Sequence, residues 1–209
     1  NIPAVVILDS TESFETVKET LTLLGQALGE AERAEKITAF LDAQLENAQT
    51  LLKDTAERPS VLFLGGSSPL SVAPAAMIQT SLIEAGGGIN AVSGVEGTGS
   101  FIEVNIEQIV AWNPDVIWFP AYSDYTAEDL INDPAWSSIN AIKNQKVFEF
   151  PSLLEPWDQP TAAVALGVDY ALYSLHPDLY DMDSLMQDVN EFYALVYGKT
   201  FTKEQMGIK

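Results

Sequence analysis

The stretch NIEQIVAWNPDVIWFP, residues 105–120, places a helix and a strand back to back. Asn105 with Gln108 three residues on is the arrangement that caps a helix start, since each side chain can reach the other residue's backbone N–H. Ile106 to Trp112 is therefore expected to be helical. Val116 to Phe119 follows as a short unbroken apolar run, the pattern of a strand covered on both faces.

The same alternation extends in both directions. Val61–Leu64 and Val147–Phe150 are two further apolar runs, and Pro74–Ala85 and Thr126–Ile131 have helical spacing between them. This order predicts an α/β fold with a mostly parallel sheet flanked by helices. Three helical segments close the chain: Pro160–Leu175, Ser184–Tyr197, and a short one opened by Thr202 with Gln205. Upstream, Glu30 to Glu57 reads as one long polar-rich helix. Its apolar stripe is Ala34, Ile37, Leu41, Leu45, Ala48 and Leu52, and Arg58-Pro59 ends it. At 1.5 Å per residue it spans roughly 40 Å, enough to cross a domain face or connect two domains. Ser13–Leu28 is a helix with Gly29 as its C-cap. Ile2–Leu8 reads as a buried strand, and its place at the very start predicts that an upstream part is missing.

Composition excludes several functions. With 209 residues, 47% hydrophobic and 19% charged, the chain can bury a core. Thirty acids against ten bases give a net charge of -20, so it lacks the basic footprint of a nucleic-acid binder and is repelled by anionic membrane surfaces. With no cysteine it has no disulfide, thiolate nucleophile or Cys-based metal site. No stretch reaches the roughly 18 apolar residues of a membrane span.

The search for chemistry finds no catalytic set and no metal-ligand set. Gly86–Gly88 and the glycines at 94, 97 and 99 fit neither a phosphate loop nor a dinucleotide fingerprint, and read as turn residues. His176, the only histidine, sits before Pro177 at a helix end and reads as a capping or packing residue. Asp178, Asp181 and Asp183 lack the glycine and terminal Glu of a calcium loop. Glu155 and Asp158 flank Pro156-Trp157, but no nucleophile accompanies them and nothing separates their pKa values. Trp112, Trp118 and Trp136 are expected in the core. In open parallel sheets, ligands bind beyond the carboxyl ends of the strands. The candidate ligand-binding residues there are Ser67 and Ser68 after the first run, Tyr122 and Tyr125 after the second, and Trp157 after the third. Phe101 comes from the loop before the Asn105 helix.

Residues 105–120, with DPAWSSINAIKNQKVFEFP, EPWDQPTAAVALGVDYALYSLHPDLY and VNEFYALVYGKTF further on, resemble the second half of an iron-complex/vitamin B12-type periplasmic binding protein, the substrate-binding subunit of an ABC importer. The resemblance implies a tail of an N-terminal lobe over residues 1–29, a rigid interlobe helix over 30–57 and a C-terminal ligand-binding lobe over 58–209. It further implies no enzyme activity and no cofactor, with an ABC permease dimer as partner. The protein is expected to be monomeric and extracytoplasmic, in the periplasm or lipid-anchored at the outer membrane face. Glu107 matches the family glutamate that pairs with permease arginines, and Phe101 a cleft-lining aromatic position. The arginines are Arg33 and Arg58, both at the long helix, and no Lys lies at a strand's carboxyl end, so the lobe offers no clamp for a carboxylate-rich ligand. A neutral or cationic metal chelate, such as an iron-siderophore or haem, is the expected ligand. A corrinoid or molybdate-type oxyanion stays open, as does an extracellular sensor or enzyme built on the same lobe.

Overall fold

The computed structural model describes residues 12–95, 97 and 100–208; the strand expected over Ile2–Leu8 lies outside them. In chain order the elements are α1 (Phe14–Leu28), α2 (Ala31–Leu52), β1 (Ser60–Gly65), β2 (Ser68–Val72), α3 (Ile78–Ala85), β3 (Ile89–Asn90), β4 (Ile102–Glu103) and α4 (Ile106–Trp112). They continue with β5 (Val116–Pro120), α5 (Ala127–Asn132), α6 (Asn140–Lys143), β6 (Val147–Phe150), α7 (Val164–Leu175), α8 (Met182–Tyr197) and α9 (Lys203–Met206).

Side chains of a strand alternate between faces, and here both faces are buried. Val61, Phe63, Val116, Trp118 and Phe150 point into a core formed with α2, α3, α7 and α8. Leu62, Leu64, Ile117 and Phe119 point the other way, onto α4, α5, α6 and Trp136. The sheet order is β4-β2-β1-β5-β6, with β3 beside β1. β1 pairs in parallel with β5 and β3, and β5 with β6. The remaining pairings, β1 with β2 and β2 with β4, are antiparallel. β2 and β3 share one edge of β1: Ile89 lies opposite Ser60 at its start and Ser68 opposite Gly65 at its end. The mixed α/β architecture with a central sheet flanked by helices agrees with the sequence reading.

Local signals set the helix ends. Ser13, Asn105, Thr126 and Thr202 cap α1, α4, α5 and α9 in reciprocal side-chain-to-backbone boxes. Asp181, one of the acids that do not form a calcium loop, accepts from Ser184 N at 2.9 Å and caps α8. Gly29 ends α1 at φ 75°, a conformation in which other residues are strained. α2 is unbroken, as expected, but ends at Leu52 rather than Glu57. That is where its apolar stripe ends; Thr55 N then turns back to Leu52 O, in a stretch where Asp54 and Thr55 compete with helical bonding. α2 packs on α1, α7 and α8. No helix among the described residues is long and apolar enough to cross a membrane.

The segment after β6 is pinned to the core by Trp157, and here the sequence expectation is corrected. The Trp157 indole does not stand on a binding wall; its side chain is 0% exposed. It packs edge-on against Tyr170, with ring centroids 6.3 Å apart, and its Nε1–H donates to the Tyr193 hydroxyl at 3.2 Å. Its carbonyl presses against α7 so closely that a Cβ on Gly167 would come within 2.2 Å of it. An indole this large, flanked by Pro156, removes more area from water inside the core than a wall position allows.

Two expectations follow. Trp157→Ala should lower stability by about 3–5 kcal/mol, the cost of emptying a large buried aromatic site, as read by denaturant unfolding; a change below about 1 kcal/mol would contradict the packing. The second concerns pH. Burial pushes up the carboxyls of Asp158, Asp169, Asp188 and Glu155, and for Asp169 the nearby charge of Asp188 adds to it. A carboxyl raised on folding binds its proton more tightly when folded, so stability falls as pH climbs from the unfolded value toward the folded one. The melting temperature should therefore be lower at pH 8 than at pH 5, and Asp169→Asn should narrow the difference. A melting temperature that rises over this range would contradict it.

Candidate functional site

The carboxyl ends of β1, β5 and β6 lie side by side because the three strands are parallel neighbours in the order β1-β5-β6, so the segments that follow them meet at one edge. β1 does not run into a helix there. It turns back through Gly66-Ser67 into β2, with Gly65 opposite Ser68. Ser67 is exposed at the hairpin tip, and the Ser68 hydroxyl accepts from Leu70 N at 3.2 Å.

The hairpin glycines make room for the aromatics beside them. A Cβ on Gly65 would lie 3.2 Å from Phe101 Cδ1, and one on Gly66 3.1 Å from Tyr122 Cε2. Phe101 is half-buried, 6.4 Å from Phe63 between ring centroids. Tyr122 is 51% exposed and stands at the rim. Tyr125 braces the hairpin from below: its hydroxyl donates to Gly65 O at 2.8 Å and its ring packs 5.2 Å from Phe119. Asp124 N donates to Gly66 O at 2.9 Å and ties the two segments together. The structure thus gathers Ser67, Ser68, Phe101, Tyr122 and Tyr125 at one edge and puts Trp157 beneath it.

The sequence reading weighed Asp158 only as half of an acid–base pair, and passed over Gln79 and Gln159. Asp158 is 0% exposed. Its Oδ2 accepts from the Tyr122 hydroxyl and from Gln159 Nε2, each at 3.1 Å, and Gln159 Nε2 also donates to the Tyr122 oxygen at 2.9 Å. Gln79, buried on α3, donates to the Asp158 carbonyl at 2.8 Å. Asp158 Oδ1 has no hydrogen-bond partner among the described residues. Burial raises the carboxyl's pKa, and burial with the Asp158 charge raises that of the Tyr122 phenol. Tyr122 therefore remains a protonated hydroxyl, its proton directed inward to Asp158 and its oxygen accepting from Gln159. The one signal for this cluster is the acid directly after Trp157: once the indole is buried, its neighbour is carried inward with it.

Glu155 and Asp158 do not share a site. Glu155 lies beside the hydroxyls of Tyr193 and Tyr197 instead, and both carboxyls shift in the same direction, which does not make an acid–base pair. His176 caps α7, buried, with Nε2 unpartnered and its pKa lowered by burial. Among the described residues no group of three or more His, Asp or Glu side chains is placed to hold a metal. Glu107 is exposed in the first turn of α4.

Comparison with known proteins agrees with this architecture. A periplasmic solute-binding protein from Veillonella parvula superposes with a TM-score of 0.84 at 26% identity, covering 99% of this chain and 63% of that one. The molybdate-binding protein MolA of Haemophilus influenzae is 30% identical over 102 residues, 48% of this chain and 29% of MolA. The iron-uptake system-binding protein of Bacillus subtilis is 25% identical over 138 residues, 63% of this chain and 44% of that protein. The chain thus spans less than two thirds of each of these relatives. Residues 1–154 match the family described as periplasmic binding protein, and the chain belongs to that family.

Proposed function

We propose that the chain is the ligand-binding lobe and connecting helix of an extracytoplasmic solute-binding protein, which captures a small metal chelate and delivers it to an ABC permease without turnover. The observation that carries this is the open edge itself. Tyr122, Phe101 and the hairpin hydroxyls present rings and acceptors where the loops after parallel strands converge, in a chain of the periplasmic binding protein family. The relatives' names, all binding proteins, support binding without chemistry. No cofactor belongs in this reading; the metal arrives inside the ligand.

The edge favours a neutral or cationic chelate, an iron-siderophore or haem among them. Arg33 donates to Val196 O and Arg58 to Gly88 O, so both guanidinium groups serve the scaffold, and Asp158 puts a carboxyl beneath the edge. A molybdate-type oxyanion is the second reading, favoured by the match to MolA. Native mass spectrometry of the full-length protein purified from its own host separates the two by mass.

Tyr122→Ala in the full-length protein should weaken ligand binding about tenfold, the effect of losing a part-exposed aromatic contact, while the melting temperature changes little. Unchanged affinity in calorimetry would remove Tyr122 from the site. Glu107 is proposed as the permease contact, by charge-assisted pairing with permease arginines. Deleting one partner of such a pair commonly costs about 2–5 kcal/mol. Glu107→Ala should therefore reduce uptake at limiting binding-protein concentration, with ligand affinity within about twofold of the parent; unchanged uptake would sink the assignment.

A further inference from the structure

The segment after β6 borders a concavity apart from the edge, which Tyr122, Asp158 and Gln159 do not line. Leu154, Glu155, Tyr193, Tyr197, Lys199 and Phe201 enclose about 370 Å³, within the range that small ligands occupy. Its walls are unusually apolar for a surface feature: Leu154 is 48% and Tyr197 55% exposed. Tyr193 and Tyr197 lie nearly parallel, with centroids 5.8 Å apart, and Phe201 meets Tyr193 edge-on at 5.2 Å.

Against these rings stands one carboxylate, Glu155, with the Lys199 ammonium on the pocket rim. Glu155 lies beside the hydroxyls of Tyr193 and Tyr197, and its enclosed Oε1 has no hydrogen-bond partner among the described residues. Among the described residues no ion pair reaches it; the lysines that form pairs are Lys18, Lys36 and Lys53. An enclosed acceptor without a donor is costly, and burial pushes the Glu155 carboxyl's pKa upward. A cation seated between this oxygen and the ring faces would relieve that cost and gain cation–π attraction.

We propose that this pocket binds a small organic ammonium cation, with an N–H donated to Glu155 Oε1 and its alkyl groups packed on Tyr197, Phe201 and Leu154. The single free oxygen selects the class. A guanidinium makes its strong contact through two parallel hydrogen bonds, and a hard metal ion needs six or more oxygens; one acceptor among rings suits one N–H. The Lys199 ammonium, on the rim, is the internal competitor for the same place. This pocket stands apart from the ligand edge and does not depend on the solute-binding reading.

The indole N–H of Trp157 donates to the Tyr193 hydroxyl, which lies beside Glu155, so its NMR resonance reports on the pocket. The chain is titrated with n-butylammonium chloride at constant ionic strength, with guanidinium chloride as the second arm. The expected result is a saturable shift of the Trp157 indole and Tyr197 ring signals with n-butylammonium, and a weaker one with guanidinium. Glu155→Gln should weaken n-butylammonium about tenfold, as loss of a charge-assisted hydrogen bond does. Tyr197→Ala, on the rim, should also weaken it and covers the case in which Glu155→Gln fails to fold. The proposal is overturned by the absence of a saturable shift, by an unchanged shift in both variants, or by a shift that appears only in Lys199→Ala, which would make the pocket the seat of the chain's own lysine.

Discussion

The contact between the Trp157 carbonyl and Gly167 is the constraint on which the carboxyl edge of the sheet depends. Only a residue without a side chain lets α7 come this close to the segment after β6. Once the carbonyl is fixed there and the indole N–H has reached Tyr193, the neighbours of Trp157 have little freedom. Asp158 is carried inward toward Tyr122, and Glu155, two residues back, toward Tyr193 and Tyr197. Two acids close in sequence thus end in separate environments, each enclosed and each without a basic partner. The polar features of this edge follow from how one buried ring is held.

What the sequence makes legible follows from how local each signal is. The strands β1, β5 and β6 are readable because burial on both faces leaves an uninterrupted apolar run, and the capping boxes because four consecutive residues contain the whole interaction. The antiparallel β2 and β4 are not readable. β4 has two residues, and β2 reads Ser-Pro-Leu-Ser-Val, whose strand character comes from pairing with partners elsewhere in the chain. That gap leaves the site half-read: Ser67 and Ser68 read as residues following a parallel strand, whereas they belong to a hairpin whose Gly65 and Gly66 make way for Phe101 and Tyr122. Trp157 misleads for a similar reason, since its orientation is decided by Gly167 and Tyr193, ten and thirty-six residues further on.

The distribution of the few cations matters more than the total charge of -20. Charges beyond roughly 8–10 Å are largely screened at physiological ionic strength, so most of the thirty acids hardly affect a ligand at the edge. The groups close by decide. The arginines are engaged with backbone carbonyls at the end of α8 and beside β3, and Lys18 is held by Glu15 and Asp42. What stands at this edge is ring faces, hydroxyls and the hairpin backbone, with the exposed Asp124 between Tyr122 and Tyr125 and the buried Asp158 beneath.

That places unusual weight on one proton. Like charges 4 Å apart repel by about 4 kcal/mol where the effective dielectric constant is near 20. An ionised Asp158 would hence oppose an anionic ligand at Tyr122 by more than one aromatic contact returns. Burial drives the carboxyl the other way, toward its neutral form, in which that repulsion vanishes and Oδ1 gains a proton to donate. The Tyr122 hydroxyl, freed from its role as the only donor between the two side chains, could then turn outward to an acceptor. In the proposed binding site a neutral Asp158 removes its repulsion of an oxyanion, and an ionised one favours a neutral or cationic chelate. The charge on Asp158 is thus one contribution to the choice proposed between the two ligand classes, beside that of the exposed Asp124.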